Sequence, residues 1–189
     1  TASESYWAQI GFVRGTNFVL KPCVAVPGGV FTRVYFEINC GAPEGACANY
    51  VRVWPNTPPI TGAFLYFGVS SVDTATGRFR GFVYDPDGFQ FLYLDEIVMP
   101  LCAGRTIDVV SYFGEATARP GDRVPGTTAS RFNFYECTLV RDIPGIGAVI
   151  EAAGFVTRRQ DWFPTSTLGA LGKVGIVNDD TFQILDVRP

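Results

Sequence analysis

Residues 30–39 read VFTRVYFEIN, and this stretch decides the fold class because its apolar and polar residues alternate. Val34, Phe36 and Ile38 take one set of alternate positions, while charged residues and a tyrosine take the other. Successive side chains of a β-strand point to opposite faces of the sheet, so a period of two predicts a half-buried strand. The stretch therefore predicts a sheet in which Val34, Phe36 and Ile38 face the core.

Most of the remaining chain shows the same period, with Gly, Pro, Asp or Asn between segments rich in β-branched and aromatic residues. Residues 85–88, Asp-Pro-Asp-Gly, predict a type I turn in which Gly88 takes the left-handed bulge position. A hairpin of 77–85 with 89–98 follows from that turn. Further strands are predicted over 16–24, 49–54, 62–71, 105–113, 131–140 and 147–156.

About eight short strands with a few long loops predict an all-β fold, an antiparallel two-sheet sandwich of the jelly-roll type. The loops are too uneven in length to favour a closed up-and-down barrel. We find no internal repeat and no linker, so we predict a single jelly-roll domain over 1–189. Its core covers about 15–157, and 158–189 form an irregular C-terminal segment.

The composition indicates a surface that is used for contacts. Charged residues make up 17% of the chain, whereas an ordinary soluble domain has about 25%. Thirteen Arg accompany two Lys, and the flat guanidinium group suits interfaces better than the strongly hydrated ammonium group. Codon bias is an equally good explanation of that ratio. The net charge of −3 and the lack of a basic arm argue against strong nucleic-acid binding.

The chain contains no histidine, which excludes Ser-His-Asp and Cys-His catalysis and His-ligated metal sites. The adjacent carboxylates Asp95 and Glu96 point to opposite faces of a predicted strand, so they do not form a catalytic pair. The glycine-rich segments at 142–151 and 167–174 fail the phosphate-loop pattern. We therefore predict that the protein is not an enzyme and that it has no cofactor.

Five cysteines are spread thinly along the chain, and an odd number is a poor basis for a disulfide framework. Cys40 and Cys47 lie seven residues apart, without the second pair of ligands that a structural zinc site needs and without Cys-x-x-Cys spacing. Free thiols in a reducing compartment are therefore predicted.

Aromatic and arginine side chains occur together at two places, as in the centres of protein interfaces. Arg52 and Trp54 share one face of a strand with Tyr50, opposite Val51 and Val53. That face is either an outward contact surface or a second buried face of the sheet. The second group follows the last predicted strand and contains Arg158, Arg159, Trp162 and Phe163.

Several segments, in order, resemble the small coat protein of plant picorna-like viruses of the comovirus and fabavirus kind. GGVFTRVYFEINCGAP, EGACAN and YVRVWPNTPP (28–59) resemble two strands and their small-residue loop. RGFVYDPDGFQFLYLDEIVMP (80–100) resembles a later pair of strands. RFNFYECTLVRD (131–142) and GAVIEAAGFV (147–156) resemble the closing strands. The resemblance covers about 15–157 and rests on strand order and loop character.

This resemblance implies a virion structural protein, a jelly-roll capsid subunit of a non-enveloped icosahedral RNA virus. Such subunits are cut from a polyprotein and assembled in the host cytoplasm, which agrees with a chain that begins at Thr1 and has Met99 as its single methionine. The implied partners are copies of the same chain around fivefold axes and a larger coat protein, with little direct nucleic-acid binding and no membrane. The alternative from the residues alone is a β-sandwich that binds carbohydrate or protein through Trp54 or Trp162.

Overall fold

The computed structural model describes residues 4–16, 19–20, 24–25, 30–43, 48–55, 64–105, 132–134, 138–143, 145–152, 172–178 and 181–186. Most of these residues lie in strands, and every pair of described strands is antiparallel. The all-β prediction is confirmed at this level.

The strands are β1 (Glu4–Thr16), β2 (Val19–Leu20), β3 (Val24–Ala25), β4 (Val30–Pro43), β5 (Tyr50–Val53), β6 (Tyr66–Asp73), β7 (Arg78–Asp85), β8 (Gln90–Val98), β9 (Phe132–Phe134), β10 (Thr138–Ile143), β11 (Gly147–Ala152), β12 (Gly172–Asn178) and β13 (Thr181–Asp186). A 3-10 helix, Pro100–Cys102, follows β8.

The chain divides into two compact units, Thr1–Ile107 and Asp108–Pro189. The first contains a sheet in the order β1-β4-β5, a sheet in the order β6-β7-β8 and the short pair β2-β3. The second contains the order β12-β13-β9 and the hairpin β10-β11.

The predicted boundaries differ from these elements in several places. Strand β1 begins well before residue 15, and β12 and β13 lie in the segment 158–189 that was predicted to be irregular. β1 pairs with β4, and β12 pairs with β13. The periodicity of the sequence did not reveal these antiparallel pairs. The predicted strand 131–140 overlaps two strands that belong to different sheets. The prediction of one domain stays a prediction, and the predicted strand 105–113 lies outside the described residues except at Arg105.

The two large sheets of the first unit pack against each other, and β4 and β7 supply the centre of the core. Val34, Phe36 and Ile38 have no exposed surface, as the alternation in 30–39 predicted. A Cβ atom placed on Gly81 of β7 lies 2.6 Å from the Phe36 ring, so the ring sits directly on the backbone of the facing sheet. The rings of Phe12 in β1 and Phe67 in β6 also pack between the sheets, with 6.2 Å between their centroids.

The prediction of a half-buried strand holds at Arg33 and Tyr35, which are partly exposed on the other face of β4, but it was wrong at Glu37. Glu37 and Asn39 are 2% and 0% exposed, although both are polar. Hydrogen bonds make this burial tolerable. The Gln9 amide donates to Glu37 Oε2 at 2.9 Å, and the Asn39 amide donates to the carbonyl of Ala42 at 3.1 Å.

The hairpin predicted from Asp-Pro-Asp-Gly is confirmed, because β7 and β8 pair along their whole length. The expected role of Gly88 was wrong. The positive φ of 50° belongs to Phe89. A Cβ on Gly88 would lie 2.6 Å from Oδ2 of Asp85, the end of a side chain that can move aside; the other oxygen of Asp85 accepts the Asp87 N–H at 3.1 Å.

Cys40 and Cys102 form a disulfide bond, so the prediction of free thiols was wrong for this pair. Cys40 lies near the end of β4, and Cys102 lies in the 3-10 helix that folds back after β8. They are 62 residues apart in the sequence. Strand topology, which spacing does not reveal, brings them together in the core, where both are buried.

Gly77 is the tightest point of the turn between β6 and β7. Its φ is +69°, and a Cβ there lies 2.2 Å from the carbonyl oxygen of Met99. Met99 in turn donates its N–H to the Gly77 carbonyl at 2.8 Å. The turn is thus fixed against the chain that follows β8.

We expect Gly77→Ala to lower the free energy of unfolding by roughly 2–3 kcal/mol, since left-handed backbone strain and overpacking add. Gly104→Ala is the matched control, because Gly104 has a φ of +76° with nothing within 4 Å of the added Cβ. That variant should lose only about 1 kcal/mol. Urea unfolding of both variants measures the difference, and equal losses would show that the close approach at Met99 is not significant.

Candidate interaction surface

The outer face of the sheet β6-β7-β8 is the side turned away from β4, and β7 shows which residues form it. Phe79, Gly81 and Val83 are buried towards the core, whereas the residues between them are half-exposed. Because side chains alternate along a strand, Arg78, Arg80, Phe82 and Tyr84 must lie on the outer face. The registers place Leu94 opposite Phe82 and Glu96 opposite Arg80 on that same face.

One end of this outer face is aromatic. The Phe91 ring meets Phe82 at 5.6 Å between centroids and Tyr84 at 5.2 Å, with the ring planes inclined by 87° and 62°. Phe91 is 56% exposed and Leu94 is 52% exposed. We call Phe82, Tyr84, Phe91 and Leu94 the aromatic face.

Gly68 explains how the Phe82 ring lies on the sheet. Gly68 is opposite Phe82 in the β6–β7 register, and a Cβ on it lies 2.2 Å from that ring. Any larger residue at position 68 therefore displaces Phe82. The aromatic face depends on a glycine in the neighbouring strand, as aromatic residues packed over strand glycines often do.

The other end of the outer face carries an ion-pair cluster. Arg78 Nε lies 2.5 Å from Glu96 Oε1, and Arg80 Nη2 lies 2.6 Å from Glu96 Oε2. Hydrogen bonds from Arg80 and Arg78 lower the pKa of Glu96. Such exposed pairs add little to stability. Glu96 is thus shared by two guanidinium groups, and a second carboxylate, that of Asp73, lies opposite Arg78 in the β6–β7 register.

The tip of the β7–β8 hairpin projects beyond the aromatic end. Phe89 is 85% exposed at this tip, between the turn carboxylates Asp85 and Asp87 and strand β8. Its positive φ is uncommon for a bulky residue. The outer face thus runs from an arginine-rich end, through aromatic residues, to an acidic tip with an exposed ring.

The sequence left open whether the row on β5 is an outward contact surface or a buried face. Arg52 pairs with Phe36 and Tyr50 pairs with Ile38, so these residues lie on the core side of the sheet. Trp54 is 9% exposed and contacts Tyr93 at 5.3 Å between centroids. This row was predicted to be either a contact surface or a buried face, and the structure shows burial at Trp54.

Arg52 remains exposed, because β5 is the last strand of its sheet order and a long side chain there reaches past the core. A contact role for Arg52 stays a prediction. The second predicted group, Arg158, Arg159, Trp162 and Phe163, lies outside the described residues.

Tyr50 and Asp95 link the two sheets at this edge. The Tyr50 hydroxyl donates a hydrogen bond to Asp95 Oδ2. Burial raises the pKa of Tyr50 to about 12, and the hydrogen bond to Asp95 and its negative charge act in the same direction. The nearby Arg52 charge opposes them. This hydrogen bond links β5 to β8 only while the Tyr50 hydroxyl is protonated.

We expect stability to fall as pH rises from 10 to about 12, because Tyr50 holds its proton more tightly when folded than at its ordinary pKa of 10.0. The contribution is fully present below pH 10. Asp95→Asn removes the charge but not the burial, so the pKa of Tyr50 should settle between 10 and 12. Subtracting the tyrosinate absorbance titration of Tyr50→Phe isolates this group, and an unchanged midpoint in Asp95→Asn contradicts the assignment.

The aromatic face was missed at the sequence level, although a signal for it exists. In RFRGFVYD both sets of alternate positions contain large apolar residues, namely Phe79 and Val83 on one side and Phe82 and Tyr84 on the other. A strand with one solvated face shows apolar residues on one side only. Apolar residues on both sides of an antiparallel strand indicate a second contact.

Within the described part of the chain, no three metal-binding side chains converge. No helix among those residues is long and apolar enough to cross a membrane. Comparisons of this chain with protein families, with curated proteins and with solved structures find no match.

Proposed function

We propose that this protein is a structural capsid subunit of a non-enveloped icosahedral RNA virus. The observation that carries the proposal is the exposed aromatic face, a contact surface on a scaffold of antiparallel strands. Exposed apolar residues are ordinary when scattered, but a contiguous group rimmed by polar residues marks an interaction site. A capsid subunit is a protein whose main task is to offer such surfaces to its neighbours.

The segments that resemble plant virus coat proteins contain strands, and this supports the proposal. Those at 28–43 and 50–53 contain the paired strands β4 and β5, and those at 80–100 contain most of β7 and all of β8. The closing segments contain β10 and β11, which form a hairpin. These segments thus supply antiparallel pairs of strands to the proposed sandwich.

The jelly roll is the finer part of this proposal. A jelly roll contains Greek keys, in which a later strand returns to lie beside an earlier one. Among the described strands of the first unit, β4 returns to pair with β1 after the short pair β2-β3, and every other pair joins consecutive strands. The proposed jelly roll therefore needs further pairings beyond those between the described strands.

A carbohydrate-binding role is less well supported by the ring geometry. The Phe91 ring is inclined by 87° and 62° to its neighbours, so the three rings do not form one flat platform. The alternative platform at Trp54 is buried against Tyr93. Inclined rings with gaps between them suit the side chains of a protein partner better.

The proposed partners are copies of this chain, clustered at fivefold axes, and a larger coat protein. Direct contact with RNA is proposed to be slight, because the exposed arginines Arg78 and Arg80 are already bound to Glu96. The proposed location is the virion, assembled in the host cytoplasm. Disulfide bonds rarely persist in the reducing cytosol, so the Cys40–Cys102 bond is proposed to close after assembly.

Isolation of the chain from its source tests the proposal, by sedimentation, negative-stain microscopy and a gel of what accompanies it. A uniform icosahedral particle that contains a second, larger chain and RNA is the expected result. A 20.6 kDa monomer with no particle in the same extract overturns it.

A further inference from the structure

We propose that Asp87 is a site of spontaneous isomerisation, at which the peptide bond to Gly88 moves from the main-chain carbonyl to the side-chain carboxyl and leaves an isoaspartate. The site lies in the turn between β7 and β8, residues 86–89. It is independent of the proposed capsid function, and the reaction needs no enzyme, metal or oxidant. The proposal rests on the order of the residues, the exposure of the turn and the hydrogen bonding of the two reacting groups.

The reaction has two steps, and its atoms balance with water as the only other reactant. The amide nitrogen of Gly88 attacks Cγ of the protonated Asp87 carboxyl. An N–Cγ bond forms, and the hydroxyl oxygen leaves as water with its own proton and the amide proton, so that a five-membered succinimide remains. Addition of water at Cγ restores aspartate, whereas addition at the main-chain carbonyl carbon breaks its bond to nitrogen and gives isoaspartate. No electrons are transferred, and the mass of the chain is unchanged.

The order of the residues selects Asp87. The sequence contains Asp-Gly at this one place and no Asn-Gly. Glycine after the aspartate favours the attack, because no Cβ shields its nitrogen and its backbone reaches conformations that other residues avoid. Asp85 does not react in this way, since the following Pro86 carries no N–H. One oxygen of the Asp85 carboxylate is also engaged, because it accepts the Asp87 N–H at 3.1 Å.

Both reacting groups are open in the folded protein. Asp87 and Gly88 are exposed at the projecting end of the hairpin. Among the described residues, the Gly88 N–H has no backbone acceptor, and the Asp87 carboxylate accepts no hydrogen bond and forms no ion pair. The last pair of the ladder joins Asp85 to Gln90, so the turn lies beyond it. Exposed loop tips of this kind are among the parts of a fold that open most readily.

The turn between β6 and β7 contains an aspartate at which the same chemistry is suppressed. Asp73 is followed by Thr74, whose branched side chain crowds the attacking nitrogen. One carboxylate oxygen of Asp73 accepts the Ala75 N–H at 2.9 Å, and the other accepts the Thr76 hydroxyl at 2.7 Å. The hydrogen bond from Thr76 lowers the pKa of Asp73, which reduces the protonated form from which water leaves. Asp73 is therefore an internal comparison within the same chain.

Isomerisation changes the tip of the hairpin and leaves the strands below it as they are. It lengthens the main chain of the turn by one methylene group and places the negative charge on the α-carboxylate. Phe89, which is 85% exposed with a φ of 50°, lies directly after Gly88. The longer turn allows Phe89 to leave the left-handed region that bulky residues avoid. The exposed ring should therefore change direction as the protein ages.

Ageing of the full chain in mildly acidic buffer at physiological temperature tests the site. The folded protein is re-isolated by gel filtration and digested with trypsin, and electron-transfer fragmentation of the peptides distinguishes isoaspartate from aspartate. Position 87 should gain at least about ten times as much isoaspartate as position 73. Equal amounts at the two positions, or none at position 87, overturn the inference.

Two variants test the chemistry, with methyl transfer by an isoaspartate-specific carboxyl methyltransferase as the readout. Asp87→Glu keeps the carboxylate but requires a less favourable six-membered ring, so its methyl-accepting groups should fall to the level of the rest of the chain. Gly88→Val crowds the attacking nitrogen and should slow the gain at least about tenfold. Near-ultraviolet circular dichroism identical to the wild type confirms that each variant is folded. Unchanged accumulation in either variant overturns the assignment to this peptide bond.

Discussion

Phe36→Ala is expected to lower the free energy of unfolding by about 3–5 kcal/mol. Phe36 has no exposed surface and sits between the two sheets of the first unit, on the backbone of Gly81. Its removal loses the transfer free energy of a whole ring and leaves a cavity that the two sheets cannot fully close, because the neighbouring side chains between them hold the sheets apart. Urea unfolding followed by circular dichroism measures the loss.

The matched control for this substitution is Phe91→Ala. It removes the same ring from a site that is 56% exposed on the aromatic face, so only about 1 kcal/mol should be lost. The comparison is made at low concentration, where self-association does not contribute. Equal losses at the two positions would mean that Phe36 does not fill the core between the sheets.

Gly81 provides a second test of the same contact. Gly81→Ala places a methyl group 2.6 Å from the Phe36 ring and should destabilise the protein by about 1–3 kcal/mol through overpacking. In the double variant with Phe36→Ala the methyl group enters the cavity instead. The losses should then be less than additive by about 1 kcal/mol, and strict additivity would show that the two positions do not touch.

Alternation in the sequence predicted the central strand and its core face correctly, because Val34, Phe36 and Ile38 obey it without exception. It failed at Glu37 on the opposite face of β4, which was expected to face solvent but is buried together with Asn39. A polar residue in a sequence carries no sign of the hydrogen bonds that make its burial acceptable. The partner of Glu37 is Gln9, 28 residues away in β1.

Strand β5 shows a second reason for failure, the shortness of edge strands. With four residues, its two faces offer two positions each, and the apolar Val51 and Val53 favour the wrong side as the core side. The register with β4 decides otherwise, because Arg52 lies opposite Phe36. Register is set between strands and is not contained in the composition of either one.

The aromatic face had a local signal, and the disulfide had none. Large apolar residues on both sides of β7 indicate a second contact from the amino-acid sequence alone. Cys40 and Cys102, by contrast, are paired by the path of the chain through four strands, and the nearer Cys47 is the more obvious partner in the sequence. Bonds between distant residues follow from topology, and the period of a strand carries no information about which other strands lie beside it.

Loss of the Cys40–Cys102 bond is expected to lower the free energy of unfolding by about 4 kcal/mol, because the bond closes a loop spanning 62 residues and restricts the unfolded chain. Both sulfur-bearing residues are buried, so the chain is reduced in denaturant and then refolded. Urea unfolding of wild type with and without reductant measures the effect. The comparison variant is Cys40→Ala with Cys102→Ala, which has no such bond in either buffer.

In non-reducing buffer the variant should unfold at a lower urea concentration than the wild type, and in reducing buffer the two should nearly coincide. Coincidence in both buffers would contradict a stabilising bond.

The remaining stability of the reduced wild type bears on the proposed place of assembly. If it is positive, the subunit folds as a dithiol in a reducing cytosol and closes the bond later, as the capsid proposal requires. If the reduced chain does not fold, folding needs an oxidising compartment, and assembly in the cytoplasm is refuted.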